Sequence, residues 1–252
     1  DNILLHGKFG QAGSELVIEE YLNGIEVSVF VVTDGVHSLM LPEAKDYKRI
    51  GEGDTGLNTG GMGSLSPVPF FDESLKQKVQ KQIIEPTIHG LQKENIPYSG
   101  FIFFGLMVVK GNPYMIEYNV RLGDPETESI LPRIESDLVP VLRSLKSKTL
   151  NQHSIEVSGR QAATVMVVSG GYPGAYAKGI PIYGTESVSN SILFHAGTKY
   201  TDGQLVTNGG RVFGVTSLAG SLKEALKLSV ESAEAISFEG RCFRKDLGFD
   251  IL

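Results

Sequence analysis

Residues 101–120, "FIFFGLMVVKGNPYMIEYNV", limit what this chain can fold into more than any other stretch. Phe101 to Val109 carries no charge, Lys110-Gly111-Asn112-Pro113 supplies turn formers, and Tyr114 to Val120 alternates. An apolar run of this length before a turn reads as a covered strand, and it is too short to span a bilayer as a helix. The return strand sets Tyr114, Ile116, Tyr118 and Val120 on one face and Met115, Glu117, Asn119 and Arg121 on the other. Together they predict a β-hairpin in a central, covered position. A carboxylate on a covered strand needs a cation or hydrogen-bond donors. Glu117 and Asn119 offer hard oxygen ligands suited to Mg²⁺. Arg121 is placed to stabilise a transferring phosphoryl group or an anionic intermediate. A polar edge strand is the competing reading of the same row.

The rest of the chain supplies an α+β frame around that hairpin. Leu16 to Tyr21 and Ile25 to Thr33 are β-rich, and Asp34-Gly35 turns the chain into Val36 to Leu41. Residues 51–64, "GEGDTGLNTGGMGS", read as a glycine-rich loop. Asp72 caps a helix carrying Leu75, Val79, Ile83, Ile88 and Leu91, which Pro86 kinks or splits. Ile130, Ile134, Leu138, Leu142 and Leu145 mark one helical face interrupted by Pro132 and Pro140. The polar stretch 146–160 places a domain boundary, dividing the chain into 1–152 and 153–252. Beyond it lie strands at Ala162–Val168, Ile192–His195 and Val212–Leu218, then a helix opened by a Ser221/Glu224 capping box.

Composition excludes several classes. A formal charge of −6 is the wrong sign for a nucleic-acid platform. One cysteine, Cys242, cannot form an internal disulfide or build a zinc site, and fits a reducing cytoplasm. The five histidines show no metal-ligand spacing. The start, Asp1 to Lys8, has neither a signal-peptide pattern nor an initiator Met, and reads like the middle of a longer protein.

Three further stretches suggest a site, each with a bland alternative. In "VIEEYLNGIEVSVFV", residues 17–31, exposed backbone at a hinge can read an adenine edge while Glu26 accepts from a ribose; a plain hairpin with an acidic rim has the same look. "NTGGMGS", residues 58–64, lets backbone N–H groups approach phosphate but is neither a Walker A loop nor Gly-x-Gly-x-x-Gly; a surface loop is the alternative. "EAKDYKR", residues 43–49, sets Lys45, Lys48 and Arg49 beside Asp46, as an anion site or a solvated face would.

In this order the pieces resemble the ATP-grasp superfamily: a "VIEEYL…G-x-E" hinge, a glycine-rich stretch, then "E-x-N-x-R" on a late strand. "DYKRIGEGDTGLNTGGMGSLSPVP", "IEYNVRLGDPETE", "SGGYPGAYAKG", "FHAGTK" and "TNGGRVFGVT" are more specifically similar to the phosphoribosylamine–glycine ligase, or glycinamide ribonucleotide synthetase, family. The resemblance implies the distal part of an ATP-grasp domain followed by a small β-rich C-terminal domain. It implies ATP held by Glu19, Glu20, Tyr21 and Leu22 at adenine and Glu26 at ribose, and Mg²⁺ or Mn²⁺ on Glu117 and Asn119. Arg121 becomes the catalytic residue. Asp46, Lys48, Arg49, Asn58, Thr59, Gly60, Gly61, Met62 and Gly63 become candidate contacts to glycine and 5-phosphoribosylamine, joined through a glycyl phosphate. A cytoplasmic monomer with small-molecule substrates, and no nucleic-acid or membrane partner, follows from the same resemblance. Two departures accompany it. The family's N-terminal substrate domain and phosphate-holding lysine are not in this sequence, and residues 101–109 lack the second acidic metal ligand of many ATP-grasp enzymes. The rival readings are a non-catalytic nucleotide-binding fragment and an ATP-grasp ligase for a different acid, as in biotin-carboxylase-like enzymes.

Overall fold

β1 (Ile25–Thr33) forms where β-branched residues alternate with Glu26, Ser28 and Phe30, and it is the hub of the first sheet in this computed structural model. The structure describes Gly7 and residues 10–252. Most of the opening stretch Asp1–Lys8 therefore lies outside the described residues. Further strands follow in chain order: β2 (Ser38–Met40), β3 (Lys45–Asp46), β4 (Arg49–Gly51), β5 (Thr55–Asn58), β6 (Gly63–Ser66), β7 (Gly100–Val109), β8 (Asn112–Asn119), β9 (Gln161–Val168), β10 (Ile192–His195), β11 (Thr198–Thr201), β12 (Gln204–Thr207) and β13 (Arg211–Ala219). The α-helices are α1 (Glu73–Val79), α2 (Glu85–Lys93), α3 (Glu126–Ile130), α4 (Leu138–Ser147) and α5 (Leu222–Ala235). No helix among the described residues is long and apolar enough to cross a membrane.

The first sheet is four-stranded, in the order β2-β1-β7-β8, with every pair antiparallel. Its two faces follow from the alternation in β1. Val27, Val29 and Val31 join Ile102, Phe104 and Leu106 against Leu75, Val79, Ile84 and Ile88 of the helices. Phe30, Val32 and Phe103 face the other way, onto Ile130, Val141 and Leu150. Asp72 caps α1 by accepting from the Leu75 N–H at 2.8 Å. Pro86 does not split the helix: a π-helical turn at Gln80–Ile84, closed by the Glu85 N–H on the Gln80 carbonyl, joins α1 to α2, and Pro86 sits in the first turn of α2.

The second sheet is five-stranded, in the order β10-β13-β9-β6-β3. α5, capped by Ser221, packs its Leu222, Ala225 and Ala233 onto one face, while α3 lies on the other and joins it through a 2.8 Å bond between Ser64 Oγ and Ser129 Oγ. β6 pairs with β9 from Gly63↔Val165 to Ser66↔Ala162. The sheet therefore draws strands from both sides of the expected boundary at 152, which falls just after a short 3₁₀ turn at Leu150–Gln152. The sheets meet at a corner where Ser28 of β1 and Ala44 exchange backbone bonds of 2.8 and 3.0 Å.

Four expectations need correction. β8 is the edge of its sheet, not a central strand; the apolar pattern of β7 reports its own burial and not that of its partner. Leu16–Tyr21 is not a strand: Val17, Ile18 and Tyr21 are exposed and the segment has no ladder partner among the described residues. The 51–64 loop is largely structured, with β4 and β5 forming a hairpin and β6 entering the second sheet. The 130–145 stretch is α3, a 3₁₀ turn and α4, with Leu142 exposed, because Pro132 lies in that turn and Asp137 caps a new helix.

Candidate active site

Cross-strand partners share a sheet face, so register decides which side chains converge. Ser28 pairs with Gly105, Gly105 with Glu117, and Phe103 with Asn119. Glu26, Ser28, Glu117 and Asn119 therefore stand on the face turned away from the α1 and α2 helices. Gly105 makes room for this row: a Cβ there would lie 3.0 Å from Glu117 Cγ. The ladder slips between Gly105 and Leu106, which leaves Ile116 as the extra residue of a β-bulge. The strict alternation read from the sequence breaks here, and Ile116 and Glu117 line the same cleft.

Two adjoining clefts share Glu26, Asp46 and Lys48. The larger, about 420 Å³, is also lined by Tyr21, Arg49, Asn58, Lys45, Asp54, Met107 and Asp250. The smaller, about 160 Å³, adds Ser28, Gly105, Ile116 and Glu117. Of the expected residues, Tyr21, Glu26, Asp46, Lys48, Arg49, Asn58 and Glu117 are brought to these clefts. Glu19, Glu20 and Leu22 line neither cleft, although Tyr21 beside them does. Asn119 lies beside Glu117, with its amide nitrogen 3.5 Å from the carboxylate. Arg121 is exposed and donates to the Leu122 carbonyl at 2.9 Å. Thr59 is tied to the Lys48 carbonyl at 2.8 Å. Gly60, Gly61, Met62 and Gly63 line neither cleft, and Met62 is fully buried against Met166 and Val168, so its side chain serves the core.

The electrostatics centre on Asp46. Its side chain is 8% exposed and lies 3.7 Å from the Lys48 ammonium; its Oδ1 is buried with no hydrogen-bond partner. Burial, then the nearby Glu126 carboxylate, push the Asp46 carboxyl up to about 8 against the pull of Lys48. Burial alone would lower the Lys48 ammonium, but Asp46 and Glu26 outweigh it and raise its pKa. Lys48 therefore stays charged, paired directly with Glu26. Glu126, itself buried, accepts from Ser28 Oγ at 2.8 Å. Burial and then Asp124 push Glu128 up to about 7. A raised folded-state pKa means that the native protein holds a proton which the unfolded chain releases. That contribution to stability is complete below about pH 4 and disappears as pH rises to about 8. Asp46→Asn should therefore flatten the fall in urea midpoint between those limits; an unchanged pH profile would show that Asp46 is ionised in the native state.

Several site residues were missed by reasoning along the sequence. Asp54 and Asp250 line the cleft, and Asp250 is tied 203 residues back to Tyr47 by a 2.9 Å bond. Glu126 and Glu128 lie within the quoted "GDPETE", whose density of acids beside a proline was the available signal. Nothing local marks Ser28 or Gly105.

The chain matches the phosphoribosylglycinamide synthetase ATP-grasp (A) domain over residues 1–127 and the C domain of the same synthetase over residues 162–250. The fold is that of an ATP-grasp protein. The chain belongs to the phosphoribosylglycinamide synthetase family. It is 45% identical over 243 residues to a phosphoribosylamine–glycine ligase of Chlorobaculum tepidum, covering 95% of this chain and 57% of that protein. It is 44% identical to a bifunctional purine biosynthetic protein of Pichia angusta, covering 97% of this chain and 31% of that one. A crystal structure of phosphoribosylamine–glycine ligase from Thermotoga maritima aligns with a TM-score of 0.83 at 38% identity, over 90% of this chain and 56% of the other. The chain thus spans little more than half the length of the single-function relatives.

The donor set suits a divalent cation that keeps other ligands. Among the described residues no group of three His, Cys, Asp or Glu side chains could hold a metal alone. Glu117 and Asn119 supply two adjacent hard oxygens on an open edge strand. That is what Mg²⁺ uses when phosphates and waters complete its octahedron.

Proposed function

We propose that this chain is part of an ATP-dependent carboxylate–amine ligase that joins glycine to 5-phosphoribosylamine, giving glycinamide ribonucleotide, ADP and phosphate through glycyl phosphate. One observation carries the reading: Glu26, Asp46 and Lys48 belong to both clefts, so a nucleotide reaching from Tyr21 toward Glu117 passes the cationic Lys48. The backbone at 19–22 takes the adenine edge and Glu26 the ribose hydroxyls. Glu117 and Asn119 hold Mg²⁺ or Mn²⁺, which supplies charge neutralisation at the β- and γ-phosphates. Lys48, paired with Glu26 and lying 3.7 Å from Asp46, presents a fixed positive charge to an anionic substrate group. Arg121, at the open end of β8, serves the acyl phosphate as it forms and as phosphate leaves. The division at 152/153 is kept as one between a nucleotide unit and a closing unit. The acidic charge argues against a nucleic-acid partner and the single cysteine suits the cytoplasm, while a monomer with small-molecule partners and no membrane partner rests on the family resemblance.

The test uses the full-length protein with ATP, Mg²⁺, glycine and phosphoribosylamine. ADP formation should require both other substrates. Turnover indifferent to glycine would point to another acid, and binding of ATP without turnover to a non-catalytic nucleotide protein.

A further inference from the structure

Gly60, at the tip of the glycine-rich loop, is held by both of its backbone polar groups. Its N–H donates to Tyr172 Oη at 2.9 Å, and its carbonyl accepts from Arg211 Nη1 at 2.5 Å. Both partners come from the C-terminal half of the chain. The same Arg211 nitrogen donates to the Asp124 carbonyl at 2.9 Å and lies 3.0 Å from the Asp124 carboxylate. One guanidinium thus ties the loop to the turn that opens α3.

Two glycines let these parts close on one another. A Cβ on Gly210 would lie 2.2 Å from the Tyr172 ring, so the ring occupies space that only glycine leaves. At Gly61, where φ is +113°, a Cβ would lie 2.3 Å from Pro125 Cδ and 2.8 Å from Asp46 Oδ1. The residue after the gripped Gly60 therefore touches both the acidic turn and the buried Asp46. Neither Tyr172 nor Arg211 lines the clefts. Their contacts reach the site through Gly60, Gly61 and Asp124, while the Arg211 charge also acts on Asp46 directly and pulls its carboxyl down.

We propose that Tyr172 and Arg211 are positioning residues: their grip on Gly60 and Asp124 sets the spacing between the Asp46–Lys48 segment and the acidic 123–128 turn, and so shapes the seat of the non-nucleotide substrates. This rests on the ligase reading above. The nucleotide contacts at Tyr21 and Glu26 come from a separate segment, so the grip sorts substrates: loosening it affects glycine and the amine and spares ATP.

The experiment compares Tyr172→Phe, which keeps the ring and loses the hydroxyl, with Arg211→Lys, which keeps the charge and loses the fork. Both are made in the full-length protein. Amide exchange should quicken over 58–62 in both variants, and over 123–126 only in the arginine variant. KM for glycine or phosphoribosylamine should rise about tenfold per variant, the size of one lost hydrogen bond, with KM for ATP unchanged and Tm lowered only by the few degrees that one lost hydrogen bond costs. Unchanged exchange overturns the grip. Faster exchange with all three KM values rising together, or none rising, overturns the positioning role and leaves a structural pin. If the wild-type protein makes no glycine-dependent ADP, the ligase reading fails and the positioning role falls with it, while the exchange data still decide the grip.

Discussion

Glu117→Gln in the full-length protein lowers kcat/KM for ATP by about a hundredfold or more, at unchanged melting temperature, because a direct metal ligand should cost at least what outer-shell partners cost. The two halves of that result have separate causes. Glu117 is exposed on an edge strand and makes one long contact, the 3.5 Å approach of Asn119, so folding gains little from its charge. The charge would matter if Glu117 holds the divalent cation, as proposed, because an amide oxygen is a poorer ligand than a carboxylate. Titration with Mn²⁺ and ATP, followed by electron paramagnetic resonance, reads metal binding apart from turnover. Wild-type metal affinity and activity in the variant would remove Glu117 from the metal site; a large loss of Tm would mean that the carboxylate is structural.

Arg244→Met lowers stability by roughly 3 kcal/mol, the scale for breaking a buried ion pair from one side. The Arg244 side chain is 1% exposed and forms a fork with Asp246, at 2.8 and 2.9 Å, while also meeting Asp54 at 2.7 Å. It donates to the Arg49 carbonyl at 3.1 Å and lies 5.5 Å from the Tyr47 ring centroid. The guanidinium thus joins the C-terminal tail to the β4–β5 hairpin, and methionine fills some of the space but satisfies none of these acceptors. Asp54 and Asp246 keep partial access to water, which places the cost at the lower end of that scale. Urea unfolding measures it. A midpoint matching wild type would show that the tail holds the hairpin by apolar packing alone.

Both residues show what can be read along a chain. Glu117 and Asn119 stand two apart on a strand, and a two-residue period sets them side by side wherever the strand lies. The helices at 72–93 and 221–235 were legible from their caps and apolar spacing, and the β7–β8 hairpin from its turn. Arg244 carried no such signal, since its partners Asp54 and Arg49 lie some 190 residues away. Met62 illustrates the opposite error. In a glycine-rich run it looked available to a ligand, yet β6 enters the second sheet immediately after it and carries it into the core.

Sequence alone determined the local alphabet of this protein: strand and helix periods, turn and cap positions, the hard-oxygen pair on β8, and a family resemblance carried by separated motifs. These are short-range properties, set by backbone sterics and side-chain chemistry within a few residues. Tertiary structure decided what burial and register control. It made β8 an edge, placed a bulge at Ile116 that turns Glu117 into a cleft, and ran one sheet across the expected domain boundary. It also buried Asp46 beside Glu126, and burial and that neighbouring charge push its carboxyl up to about 8. Desolvation and charge proximity depend on atoms brought together from distant segments, and no local pattern contains them.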